Sequence, residues 1–308
     1  MDNAIINALS VLLIIAISYF FKRVRLVDIA MAKKLAYVVM YLTLPCSILT
    51  SANGISFDVS LLSIIAISFV INFMLLVLAF FSARKVDLRM FNMLNVTCFN
   101  IGNFVIPFMQ HTMSPNAFLA LCMFDVVNAL FCFGGSYSVA LFFNRKYFPD
   151  QHINLKTIFK EMAKSLPFYI YVLVITLSAF GLSIPDTVLT PFKTIAGANT
   201  LLCFMIIGIA LSFDITWEQF KHVMQAWCIR YLSCFTMAAL IWFLVPLEAE
   251  IRIMLMIILM APMTSLAPIM TMRAIPQRAE ESADLNTIAI ISSLVFITIM
   301  NSIGALLI

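Results

Sequence analysis

Apolar residues run along this chain in stretches too long to be the buried face of a soluble helix or strand. Ten stand out, near 3–21, 30–51, 59–82, 90–110, 115–143, 166–183, 187–212, 222–246, 249–272 and 284–307. About 20 apolar residues in helical form cross the hydrocarbon core of a bilayer. The pattern therefore predicts an all-α integral membrane protein of ten transmembrane helices. The fourth, seventh and ninth stretches are less uniformly apolar than the rest. The connections are short. In the longest, 144–165, Leu155, Ile158, Phe159 and Met162 share one helical face, which predicts a short helix lying at the membrane surface.

Two stretches at matching places in the halves of the chain carry polar interruptions. The fourth contains Asn100-Ile-Gly102-Asn103-Phe-Val-Ile-Pro107, and the ninth contains Ala261-Pro262-Met-Thr264-Ser265-Leu-Ala-Pro268. The second contains Leu44-Pro45-Cys46 and the seventh Ile207-Gly208-Ile209. Proline removes a backbone donor and glycine loosens a helix. Inside a membrane the freed N–H and C=O groups must find partners in the protein or in a ligand. Paired interruptions of this kind mark the binding site of many secondary transporters. Five helices per half make the halves enter the membrane from opposite sides. The chain thus reads as a first five-helix repeat over 1–143, a cytosolic connection over 144–165 and a second, inverted repeat over 166–308. The fourth and ninth helices are expected to be broken.

Composition agrees with a lipid environment. Only 11% of the 308 residues are charged and 63% are apolar, against about 25% charged in soluble domains. The net charge of +4 is spread over loops and gives no footprint for nucleic acid. The seven cysteines (46, 98, 122, 132, 203, 228 and 234) lie in apolar stretches without paired spacing and read as reduced packing residues. Residues 4–21 lack a basic leader and a small-residue cleavage site, and read as a retained helix.

Lysine and arginine set the orientation. They gather in the loops after helices one, three, five and nine: Lys22, Arg23, Arg25, Lys33 and Lys34; Arg84, Lys85 and Arg89; Arg145, Lys146, Lys156, Lys160 and Lys164; Arg273 and Arg278. The alternate loops are nearly free of them. The odd-numbered loops are expected in the cytoplasm and both termini outside it, in a multi-pass cell (inner) membrane protein.

Individual side chains sharpen the picture. Asp125 lies about ten residues into the fifth stretch, with Asn128 on the same face. A carboxylate at mid-bilayer costs roughly 2.5–3.5 kcal/mol on insertion scales and so faces the protein interior or water. It suits a proton carrier, a sodium ligand or a structural acid. Asn100 and Asn103 offer amide donors to an anion, with Thr264 and Ser265 as counterparts in the ninth stretch. Ser292 and Ser293 occupy, in the tenth, the place of Asp125 in the fifth. Lys193 and Arg230 are expected to snorkel to the surface, and Trp217, Trp227 and Trp242 to anchor helix ends at the interface. His111, His152 and His222 have no metal-ligand spacing. No His-Glu-x-x-His, Gly-x-Ser-x-Gly or phosphate-binding glycine loop is present, so no enzyme chemistry is expected, and no cofactor beyond a coupling H+ or Na+.

Over nearly its whole length the chain resembles the auxin efflux carrier family in its compact bacterial form. Asn100, Gly102 and Pro107 match the Asn-x-Gly-x-x-Gly-x-Pro element of that family, with Val105 at the second glycine. Leu44-Pro45, Phe204-Met-Ile-Ile-Gly208 and Pro262 resemble its elements in helices two, seven and nine. The resemblance implies a fold like that of bile-acid sodium symporters. Scaffold helices one, two, six and seven would face transport helices three to five and eight to ten, with the fourth and ninth crossing at their breaks. The resemblance further implies a homodimer through the scaffold and a small organic anion as substrate, such as malate, malonate or an auxin-like acid, moved by alternating access. The residues themselves give a candidate substrate-binding set of Asn100, Gly102, Asn103, Pro107, Pro262, Thr264 and Ser265, and a candidate ion-coupling set of Asp125, Asn128 and Ser292. A channel or transceptor of the same fold is the alternative reading.

Overall fold

The computed structural model describes residues 2–54, 62–109, 112–147, 166–211 and 216–307. All regular elements among them are helical. They are α1 (Asp2–Arg23), α2 (Ile29–Ser51), α3 (Leu62–Phe81), α4 (Val86–Val96) and α5 (Ile101–Val105 followed by Ile106–Met109). Then come α6 (Pro115–Asn144), α7 (Leu166–Ala179), α8 (Asp186–Ala210), α9 (Trp217–Leu244), α10 (Ala249–Leu259), α11 (Ala267–Ala274) and α12 (Ala279–Leu307). Six helical stretches are long and apolar enough to cross a membrane: α2, α3, α6, α8, α9 and Pro276–Gly304, which takes in most of α12. The surface helix expected in 144–165 falls mainly on residues outside those described.

Local chemistry sets the helix ends. Asp28 starts α2 by accepting from the Met31 N–H at 2.7 Å, and Ser114 starts α6 with Pro115 in its first turn. Thr216 and Gln219 form a capping box, each satisfying a backbone N–H of the first turn. That box starts α9 at Trp217 rather than near 222. Likewise α12 starts at Ala279 rather than near 284, where Arg278 donates to Glu281 and to Asp87 of α4, both at 2.6 Å.

The fourth and ninth apolar stretches are indeed interrupted. α4 ends at Val96 and helix resumes at Ile101; α10 ends at Leu259 and helix resumes at Ala267. Elsewhere the helices contain π turns, at Val39–Thr43 in α2, at Ile101–Val105 in α5 and at Phe131–Gly135 in α6. In the last of these Gly134 has φ 138°, a conformation that side chains rarely adopt.

The helices pack as two groups. One holds α1, α2, α7 and α8; the other holds α3, α4, α6 and α9 to α12; α5 packs against α8 and α1 of the first and α10 of the second. Lipid is as apolar as leucine, so close packing and polar contacts, rather than hydrophobic burial, hold such helices together. In the first group α1 and α8 approach so closely that a Cβ on Gly208 would sit 2.5 Å from the Ile15 carbonyl oxygen. Thr43 donates to Asn199 at 3.0 Å, and Asn53 exchanges two bonds with the backbone of Ile184, tying α2 to α8 and its leading loop. In the second group Asn95 of α4 donates to Thr271 of α11 at 3.0 Å and accepts from Ser282 of α12. Leu9, Leu13, Phe20, Phe81, Phe243 and Leu244 are among many large apolar side chains left on the outside, where a bilayer would cover them.

Candidate functional site

The two interruptions meet. The Asn100 N–H donates to the Pro262 carbonyl at 2.9 Å, and the Asn100 amide donates to Ser265 Oγ at 3.0 Å. The chain between α4 and α5 is extended at Thr97 and then turns through Cys98, a non-glycine residue with φ 69°. Such a backbone persists only where its surroundings hold it. Asn128 of α6 supplies much of that hold: its Oδ1 accepts from the Phe99 N–H and its Nδ2 donates to the Phe99 carbonyl, both at 2.9 Å. One side chain thus satisfies both backbone polar groups of a buried residue that the helix break left open.

Beside the crossing is a cavity of about 130 Å³. Met40 and Leu44 of α2 and Pro167, Phe168 and Tyr171 of α7 line one side; residues of the breaks, α5 and α6 line the other. It therefore lies at the boundary between the two helix groups. All three π turns reach it, through Met40, through Ile101 to Asn103 and through Cys132 and Phe133. π turns recur at functional sites because they re-aim side chains within a continuous helix.

Most of the side chains picked from sequence converge here. Asn100, Gly102, Asn103, Asp125, Asn128, Thr264 and Ser265 all line the cavity. Gly102 faces Leu44 of the Leu-Pro pair, whose Cδ2 would lie 3.1 Å from an added Cβ. Asp125 is 8% exposed. Its Oδ1 accepts from Asn128 at 2.8 Å and its Oδ2 from the Tyr171 hydroxyl at 2.6 Å. Pro262 contributes its carbonyl to the crossing. Pro107 sits further along α5, where its carbonyl accepts from Thr200 at 2.9 Å. Ser292 lies apart from the cavity, donating to Ile288 and accepting from Trp227 Nε1 at 2.9 Å.

Two expectations are corrected. Arg230 does not snorkel. It is fully buried and donates to the carbonyls of Val96 and, at 3.0 Å, Ala261, with its guanidinium 4.7 Å from the centre of the Phe99 ring. Carbonyls freed by the breaks offered it inner partners that outweigh a path to the surface. Trp227 is not an interfacial anchor, because Ser292 and the rings of Tyr231 and Phe296 hold it within the bundle. Tyr171 was not singled out at all, although it is a hydroxyl within the apolar run of the sixth stretch. Lys193 is on the surface, paired with Asp186 at 2.8 Å.

The chain matches no protein-family model and no curated protein. The seven cysteines are unpaired, and no cluster of three or more metal-ligating side chains occurs among the described residues. The chemistry lining the cavity is that of amide, hydroxyl and backbone groups, the Cys132 thiol and one carboxyl group, with a guanidinium nearby.

Proposed function

We propose that this chain is a secondary active transporter that moves a small organic anion, a carboxylate such as malate, malonate or an auxin-like acid, by alternating access. The observation that carries the reading is the crossing of two broken helices through Asn100 and Pro262, beside a cavity that separates two helix groups. Alternating access needs one group to shift against the other around a fixed site. α4 with α5, and α10 with α11, each count as one interrupted span; with the other eight helices they give ten spans in two inverted five-helix repeats. Lysine and arginine bias puts both termini outside. The resemblance to the auxin efflux carriers rests on the motifs quoted above.

The first turn of a helix leaves N–H groups without intrahelical acceptors, and they suit an anion. In α5 that turn carries Gly102 and Asn103, both at the cavity. The guanidinium against Phe99 adds positive charge close by. Asp125 opposes it. Two carboxylates in so small a space repel, so entry of the anion is linked to arrival of a positive charge at Asp125, as a proton or a sodium ion. That linkage is what a coupled transporter requires.

The test is uptake of labelled small carboxylates by proteoliposomes under an imposed pH or sodium gradient. Saturable accumulation against the substrate gradient is expected. Flux that never saturates would point to a channel, and binding without flux to a transceptor.

A further inference from the structure

We infer that Arg230 is a built-in cation of the helix crossing: its guanidinium serves the carbonyl ends of α4 and α10 in place of a bound metal ion and holds the two broken helices in one register. The inference rests on the transporter reading for its role in transport, but not for its geometry.

The last carbonyls of a helix lack intrahelical donors, and the C-terminal end carries partial negative charge. Val96 is the final residue of α4, and Ala261 lies just beyond the end of α10 at Leu259. Both carbonyls point at one guanidinium, Val96 O at NH1 and Ala261 O at NH2. In transporters built from broken helices such carbonyl ends commonly coordinate the coupling cation. Here the chain itself delivers the charge, from α9. Among the described residues Arg230 forms no salt bridge. Its charge is met by two helix ends and by the face of Phe99, an arrangement favourable to a planar cation. Phe99 is in turn fixed by Asn128. Arg230 is thus a positioning residue: it links α4, α9 and α10 through charge and leaves these carbonyls no vacancy for sodium. Any ion that drives transport then acts elsewhere, at Asp125.

The test compares the parent with Arg230→Gln, which keeps a donor but loses the charge, and Arg230→Lys, which keeps the charge. Thermal unfolding of the purified proteins is followed in choline, sodium or non-denaturing guanidinium chloride at equal ionic strength, and flux is measured in the same salts. Guanidinium should not raise the parent midpoint above its value in choline, and any shift of the parent in sodium, from binding at Asp125, is subtracted from the shifts of the variants. Arg230→Gln should unfold earlier in choline and recover in guanidinium or sodium. Its flux should fall roughly ten- to hundredfold in choline, the loss expected for one charge-assisted hydrogen bond, and rise again with the added cation. Arg230→Lys should lie between the two. The inference is overturned if Arg230→Gln ignores the cation, whether it folds well or fails to fold in every salt. It is also overturned if Arg230→Lys is no better than Arg230→Gln. Unfolding needs no substrate. A parent that carries no flux therefore counts against the transporter reading, while a cation response in Arg230→Gln still stands.

Discussion

The Tyr171 hydroxyl donates to Asp125 Oδ2 at 2.6 Å, a bond that runs from one helix group to the other at the wall of the cavity. It ties the groups in the arrangement seen here, and the proposed alternating access would require it to break. A hydrogen bond to a charged acceptor is worth roughly 1.5–3 kcal/mol. Tyr171→Phe should lower the unfolding free energy by about that amount while the protein remains folded. Denaturant unfolding in detergent measures it, and a variant as stable as the parent would mean that the bond does not contribute.

Asp125→Asn separates structure from coupling. The new amide can accept from Asn128 through its oxygen and donate to the Tyr171 oxygen, because a hydroxyl both donates and accepts. Folding should survive. Gradient-driven accumulation should be lost, since an amide takes up no proton, while exchange of substrate across the membrane persists. Accumulation at the parent level would remove Asp125 from the coupling step.

Asn103 and Asn100 should differ although they are three residues apart. Asn103 lines the cavity, so Asn103→Ala should weaken anion binding about ten- to hundredfold with little change in unfolding. Asn100 also ties α5 to the second break through Ser265. Asn100→Ala should weaken binding and in addition cost about 0.5–1.5 kcal/mol of stability, the net worth of an ordinary hydrogen bond. Titration calorimetry and thermal unfolding together read both. Parent-like binding in both variants would put the anion elsewhere.

The glycines at 208 and 102 should respond differently to alanine. A Cβ at 208 meets a backbone carbonyl at 2.5 Å, whereas one at 102 meets the end of the Leu44 side chain at 3.1 Å. Backbone cannot yield without moving a helix, but a leucine tip can rotate. Gly208→Ala should therefore cost about 1–3 kcal/mol, as overpacking does, and Gly102→Ala clearly less. Equal midpoints for the two variants would contradict the close approach of α1 and α8.

Much of this was legible in the chain. Long apolar runs report helices directly, because a bilayer imposes both their length and their composition. The breaks were legible because Pro262, Gly102 and Asn100 are poor choices for an unbroken helix in lipid. The partnerships were not. Position along a helix follows from residue number, but Arg230 finds acceptors 134 and 31 residues away in sequence, and nothing local to it says so. Tyr171 was missed for the same reason, since its acceptor lies 46 residues earlier on another helix. The π turns left no mark either, because one extra residue in a turn changes no hydropathy pattern. Ser292 was placed by analogy with Asp125, and analogy between halves does not fix which face of α12 a residue occupies.

Arg230 also bears on how the chain is made. Its two acceptors are synthesised at different times: Val96 precedes it on the ribosome, and Ala261 emerges only after α9 is complete. An arginine at the centre of a helix opposes release into lipid by roughly 2.5–3.5 kcal/mol, and that opposition is relieved in full only once α10 has docked. Helix α9 should consequently linger at the insertion machinery until the next segment arrives. Nascent chains stopped at lengths where α9 has left the ribosome and α10 has not are where the delay would be caught.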